Sequence, residues 1–189
     1  MLLLYKVVLY FINKGCNYLE YWDLYDKNRK PLNKTHQRGI PLNDDEYHIV
    51  VSIITVNSKK QILITRRAPT KEIYPNLWEN TGGSVISGET SLNAALRELF
   101  EETGITALKD ELIKIDTLMG TRKGHFAFVD IYMLKKDIEI DKLKMQPGET
   151  TEAKWVTFKQ FEEMAEKGEV SGSTAKRLEA VKGIIEKNM

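Results

Sequence analysis

Residues 47–56 (YHIVVSIITV) form a near-continuous apolar run rich in β-branched side chains, and residues 61–65 (QILIT) form a second. The polar break between them, Asn57, Ser58, Lys59 and Lys60, makes the pair an antiparallel hairpin, with Arg66 and Arg67 ending its second strand. Residues 21–25 (YWDLY) alternate large side chains and run into Asp26, Lys27, Asn28 and Arg29, which predicts a short strand entering a turn and a first hairpin. Residues 77–88 (LWENTGGSVISG) are dense in glycine and place a strand and a tight turn where backbone can approach a ligand closely. The period then changes. Leu92, Leu96, Leu99 and Thr103 recur at helical spacing, with Thr90 or Ser91 placed as N-cap and Gly104 as a terminating C′ glycine. Further strands are expected at residues 111–119, 125–134 and 153–156, and amphipathic helices at 158–167 and 173–187.

A chain of 189 residues with 42% hydrophobic content is long enough for one domain with a real core. Its net charge of +1 provides no global field for nucleic acid or an anionic membrane, so neither is expected as a partner. An anionic small molecule would have to be held locally. The single cysteine, Cys16, excludes an internal disulfide framework and a multi-cysteine zinc site, and fits a cytoplasmic protein. Residues 1–12 (MLLLYKVVLYFI) are apolar apart from Lys6, yet too short to span a bilayer and without the flanks of a signal peptide. They read as a strand, a helix or a contact across the two-fold of a homodimer.

Candidate chemistry lies on the central helix. At about 100° per residue, Leu92, Ala95, Leu96, Leu99 and Thr103 share one side, while Glu98, Glu101 and Glu102 share another. Carboxylates at this spacing repel one another, and a hard divalent cation such as magnesium relieves the repulsion while offering its open positions to phosphate oxygens. Arg97 borders that face and can hold a carboxylate by paired hydrogen bonds. Taken alone, the segment RELFEE also fits a solvated helix face.

The wider spacing changes the weighing. Gly83, then five residues, Glu89, then seven residues, and Arg97-Glu98-Leu99-Phe100-Glu101-Glu102-Thr103-Gly104-Ile105 match the Nudix box in full. Chance agreement is on the order of one in ten million from average residue usage. The chain thus resembles the Nudix (MutT-like) hydrolase family over roughly residues 46–164, including the strand through Arg67 and the Leu77-Trp78 pair. Residues 21–41 resemble the N-terminal extension of Nudix proteins near isopentenyl-diphosphate isomerase. The implied organisation is an extension at 1–45 packed on a Nudix domain at 46–189.

The resemblance implies an α/β (α+β) fold: an α/β/α sandwich around a mixed sheet, with a loop-helix-loop metal site and an N-terminal β-hairpin. It implies that Glu98, Glu101 and Glu102 coordinate Mg2+, with Mn2+ as a substitute, and that the Gly83 carbonyl adds a ligand. Arg97 would orient a carboxylate, Glu89 would partner Arg97 or act through water, and Gly83 and Gly104 would serve the backbone. The implied reaction is hydrolysis of a small-molecule diphosphate, typically a nucleotide, by a water whose proton passes to Glu98, Glu102, Glu149 or Glu152. Alternation along the strand points one of Arg66 and Arg67 toward phosphate. Trp78 is either core or a surface for stacking a base, and His48 and His125 read as structural. Two other functions compete. The isomerases carry a catalytic cysteine near the positions of Gly82 and Gly83, which this chain lacks. A non-catalytic nucleotide-binding Nudix domain usually loses box glutamates, and none is lost here.

Overall fold

A computed structural model describes residues 19–122 and 125–188. The apolar stretch at 1–12, Cys16 and the His125 side chain lie outside what is described.

The sheet is organised around β3 (His48–Val56). It pairs in parallel with β8 (His125–Lys135) from His48↔Ala127 to Val56↔Lys135, and β8 pairs antiparallel with β7 (Leu112–Arg122). On its other side β3 meets β4 (Ile62–Arg67) only at Val56↔Ile62, and the two strands then splay apart. Two short strands fill the wedge: β5 (Trp78–Glu79) pairs with β4 and β6 (Gly82–Ser84) with β3. The far side of β4 is covered by β9 (Thr150–Val156), completing a mixed seven-stranded sheet.

Both faces are covered, which is why residues 47–56 read as a continuous apolar run rather than an alternating one. One face, through Ile49, Val51, Ile53, Leu63, Phe128 and Leu134, packs on Ala94, Ala95 and Leu99 of α1 (Ser91–Thr103). The other, through Ile54, Val56, Ile62, Ile64, Ile131 and Met133, packs on α2 (Phe158–Glu166) and α3 (Gly172–Asn188). The result is the expected α/β/α sandwich. Thr90 caps α1, its side chain accepting from Asn93 N at 3.2 Å, and Gly104 ends the helix at φ 73°. Both positions are set by the sequence itself, since a threonine oxygen satisfies an orphan N–H and glycine tolerates the left-handed turn. No described helix is long and apolar enough to cross a membrane.

The first hairpin consists of β1 (Tyr21–Tyr25) and β2 (Pro31–Gln37). β2 (PLNKTHQ) is polar and largely exposed, so neither propensity nor patterning marks it. It exists because its backbone pairs with β1. The hairpin meets the rest of the chain at defined points. Asp23 accepts from Ser87 Oγ at 2.7 Å and Gly88 N at 2.9 Å, and Trp22 stacks on His48 with ring centroids 4.0 Å apart. From the turn, Arg29 reaches Asp130 with a paired contact at 2.7 and 2.5 Å. Asp130 is fully buried and also takes Lys114 Nζ at 2.7 Å, Ser91 Oγ at 2.5 Å and Thr117 Oγ1 at 2.8 Å. Burial pushes its pKa up, but these hydrogen bonds outweigh burial and hold the carboxyl well below its ordinary value.

Candidate active site

The wedge between β3 and β4 is crossed by residues 78–84, and α1 lies directly behind it. Gly82 and Gly83 run along β3 opposite Ser52 and Val51. A Cβ at Gly83 would stand 2.2 Å from the Glu98 carboxyl carbon and from its Oε1, so the carboxylate lies against bare backbone. Only glycine permits that approach. A Cβ at Gly82 would instead meet the Val51 carbonyl oxygen at 2.4 Å.

Arg97 is the centre of the box. Its Nε and Nη2 donate to Glu89 at 3.1 and 2.9 Å, the paired geometry that a guanidinium offers a carboxylate. Its Nη1 donates to Glu98 at 2.6 Å and Glu101 at 3.4 Å, and Nη2 also reaches the Ser84 carbonyl at 3.0 Å. One side chain therefore ties β6, the loop before α1 and α1 itself. Burial works against its charge, but Glu89 and Glu98 raise its proton affinity above the ordinary value.

The glutamates are poorly compensated. Burial pushes Glu98 up, Arg97 pulls it down, and Glu20 and Glu89 push it further up. Glu102 is buried and its pKa stands well above the usual carboxylate range, first through burial and then through Glu98 and Glu79. The backbone offers it the Gly82 N–H at 3.3 Å. The helix-face projection brings three carboxylates to one side, yet among the described residues no three acidic, histidine or cysteine side chains form a ready-made ion cage. The physical reason is Arg97, which draws Glu98 and Glu101 to itself.

Strand alternation sorts the remaining predicted residues. Ile62 and Ile64 face α2 and α3, so Arg66 shares that face, together with its cross-strand neighbours Trp78 and Glu152. Arg66 Nη1 and Glu152 Oε1 pair at 2.8 Å there. Glu152 is thus carried into the β9 ladder, which begins at Thr150, rather than lying in a loop, and Arg66 is the one of the two arginines that alternation turns away from α1. Arg67 is on the α1 face, paired with Glu79 at 2.5 Å. Glu149 sits in the turn before β9, held by Lys71 Nζ at 2.5 Å, and its charge acts on Glu102. Trp78 is half-buried against the core, with Lys154 Nζ 4.1 Å from its ring centroid. His48 is buried under Trp22.

Three charged groups near the glutamates were not singled out in the sequence. Glu79 directly follows Trp78, and its alternation with Thr65 was the available signal. Glu20 and Arg38, paired at 2.7 Å, come from the two ends of the hairpin. Glu20 acts on Glu98, and Arg38 is influenced by Glu149 and Glu98. No local pattern announces them, since only docking of the hairpin brings them there.

Comparison with known proteins agrees with this geometry. The NUDIX domain matches residues 46–176. An uncharacterized Nudix hydrolase of Listeria monocytogenes is 39% identical over 157 residues, covering 80% of this chain and 88% of that protein. An isopentenyl-diphosphate Delta-isomerase of Corynebacterium diphtheriae is 33% identical over 93 residues, covering 49% of this chain and 50% of the isomerase. The crystal structure of DR0079 from Deinococcus radiodurans superposes with a TM-score of 0.70 at 25% identity, covering 85% of this chain and 98% of that one.

Proposed function

Because the chain belongs to the Nudix family, we propose that it is a magnesium-dependent hydrolase of the diphosphate linkage in a nucleoside diphosphate, a nucleoside triphosphate or a related nucleoside diphosphate joined to another group. The observation that supports this most is the join of Gly83 to Glu98, with Arg97 gathering Glu89, Glu98 and Glu101. The complete box is assembled rather than merely present in order.

Magnesium suits the donors. Glu98, Glu101, Glu102 and the Gly83 carbonyl are hard oxygen ligands, and the buried, mutually repelling Glu98 and Glu102 gain from a cation. When bound, the ion neutralises phosphate charge and acidifies an attacking water. Manganese, with similar preferences, is the expected substitute. The chain's own residues do the rest. Arg97 holds Glu98 and Glu101 in position, and Lys71 holds Glu149 at the mouth of the wedge. With Glu152 on the opposite face, this reading keeps Glu98, Glu102 and Glu149 as the candidates to accept the water's proton. Residues 46–189 are the catalytic domain in this reading, and residues 1–45 an extension that contributes Glu20 and Arg38 to its rim.

The isomerase reading is weakened by the glycines. A side chain at either Gly82 or Gly83, where the isomerases resemble this chain but carry cysteine, would strike the Val51 carbonyl or the Glu98 carboxylate. The deciding experiment is a screen of the purified protein with magnesium for phosphate and nucleoside monophosphate release over nucleotide diphosphates, with isopentenyl and dimethylallyl diphosphate included. Release from a nucleotide is expected. Interconversion of the two isoprenoid diphosphates without hydrolysis would overturn the assignment.

A further inference from the structure

The loop between β6 and α1 carries Glu89, which fixes Arg97, yet it has little core of its own to rest on. Of residues 85–90 only Val85 is buried, its N–H donating to the Ile49 carbonyl at 2.9 Å. Ser87 and Gly88 are exposed, and Gly88 turns the chain at φ 78° with nothing within 4 Å of where a Cβ would stand. A glycine in open space immediately before Glu89 is a pivot, and a segment with so few buried contacts opens readily unless something ties it down.

β1 ties it down. The Tyr21 carbonyl accepts from Ser87 N at 2.8 Å, and the Asp23 carboxylate accepts from Ser87 Oγ at 2.7 Å with one oxygen and from Gly88 N at 2.9 Å with the other. An ionised aspartate accepts on both oxygens, which suits two donors side by side. The strand can serve as a fixed post because the core sets its own position. Trp22 and Leu24, on either side of Asp23, are buried, and Trp22 stacks on His48 at 4.0 Å. Tyr25 exchanges backbone hydrogen bonds with Tyr47 at 2.8 and 2.9 Å. From the loop the contacts run on to the glutamate helix without a gap. Glu89, next to Gly88, takes Arg97 Nε and Nη2 at 3.1 and 2.9 Å, and Arg97 Nη1 holds Glu98 at 2.6 Å. If Glu89 drifts with Gly88, the guanidinium loses its paired anchor and follows Glu98 instead of holding it.

We propose that Asp23 is a positioning residue for the glutamate site: by fixing Ser87 and Gly88 it sets Glu89, and through Glu89 it sets Arg97 and the Glu98 carboxylate. The N-terminal hairpin is then a brace for the metal ligands. This rests on the hydrolase reading for the metal, whereas the coupling of Asp23 to Arg97 requires no metal.

The test therefore has two arms. In metal-free buffer with EDTA, the Arg97 Nε–H resonance is followed by nitrogen-edited NMR and assigned by its loss in Arg97→Lys. A sharp signal is expected in the wild type, where Glu89 holds the proton, and a broadened or shifted one in Asp23→Ala. The control is Asp26→Ala, which removes contacts to Asn28 N and Lys30 N, each at 2.8 Å, in the same hairpin without touching the loop, and should leave the signal as in the wild type. In the second arm magnesium chloride is titrated calorimetrically. Asp23→Ala is expected to weaken its binding about 10-fold, the lower end of what losing the support of a metal ligand costs, with Asp26→Ala within about twofold of wild type. Asp23→Asn keeps one acceptor oxygen and should fall between wild type and Asp23→Ala. In a Glu89→Gln background the Asp23→Ala effect should shrink, because the link is already weakened. An unchanged Arg97 signal in Asp23→Ala, an equal loss in Asp26→Ala, or an effect undiminished by Glu89→Gln overturns the proposal. Absence of magnesium binding by the wild type counts against the hydrolase reading, and the Arg97 signal then decides the inference alone.

Discussion

Gly82 and Gly83 are neighbours on one short strand, yet adding a methyl group to each should fail in different ways. At Gly83 the new Cβ falls 2.2 Å from the Glu98 carboxyl carbon. Ordinary contact begins near 3.4 Å, so the carboxylate must retreat by more than 1 Å. The carboxylate is the free end of a flexible side chain, so it can move at a cost of about 1 kcal/mol or less, a fall of at most about 4 °C in Tm for a chain this size. The move pulls Glu98 off Arg97 Nη1, now 2.6 Å away, and displaces a proposed metal ligand. A displacement of this size at a catalytic group lowers kcat/KM by about 100-fold. At Gly82 the obstacle is the Val51 carbonyl at 2.4 Å, backbone of the central strand, which cannot step aside. Overpacking there should cost about 1–3 kcal/mol and lower Tm by about 2–12 °C. Thermal melts by circular dichroism and steady-state hydrolysis on the best substrate measure both. Wild-type activity in Gly83→Ala, or a larger loss of Tm there than in Gly82→Ala, would refute the assignment of Gly83 to the Glu98 approach.

Other outcomes follow from the same structure. Asp130→Asn leaves Arg29 and Lys114 facing an uncharged group and should destabilise by about 3–5 kcal/mol near neutrality, read by urea unfolding. Because the folded-state pKa of Asp130 is lowered, its contribution is fully present above the unfolded value of 3.8 and is lost as pH falls below it, so wild type and variant should converge in stability under strong acid. A constant difference between them down to the lowest measurable pH contradicts this. Millimolar magnesium should raise the wild-type Tm and EDTA should remove the gain, a concentration of 100 Kd contributing about 2.7 kcal/mol. Identical melts with and without the ion would remove the metal site from the account. Glu152→Gln should keep kcat within about twofold, while the same change at whichever of Glu98, Glu102 and Glu149 accepts the water's proton lowers it by about 100-fold or more, the scale of general base contributions. The reverse order would mean that strand register misplaces these acids.

The fold was legible where local chemistry is strong. The β-branched run at β3, the turn at Asn57 to Lys60 and the Thr90 and Gly104 caps of α1 each specify their element without help from distant residues. The box was legible because its spacing joins a glycine, a loop acid and one helix face. What the sequence left open depends on tertiary pairing. Glu152 faces away from α1 because β9 starts three residues earlier than its apolar pattern suggests, a register decided by pairing with β4. β2 has no amphipathic signal, since it lies on an exposed hairpin and is specified by its partner's backbone. Glu79, Glu20 and Arg38 sit in unremarkable local contexts, and only the docking of β5 and the hairpin makes them neighbours of the site. The projected meeting of three carboxylates could not include Arg97's claim on two of them, because helix geometry alone does not report which way a long side chain turns.

The central claim is that the carboxylates of α1 carry magnesium-dependent cleavage of a phosphoanhydride. Its most direct test is the rate of phosphoanhydride hydrolysis by wild type and Glu98→Gln, each assayed with saturating magnesium and with EDTA. The wild type should turn over with magnesium and stop in EDTA, and Glu98→Gln should be slower by about 100-fold or more with its melting temperature within a few degrees of wild type. Equal rates for the two proteins, or wild-type hydrolysis that persists in EDTA, would contradict the account.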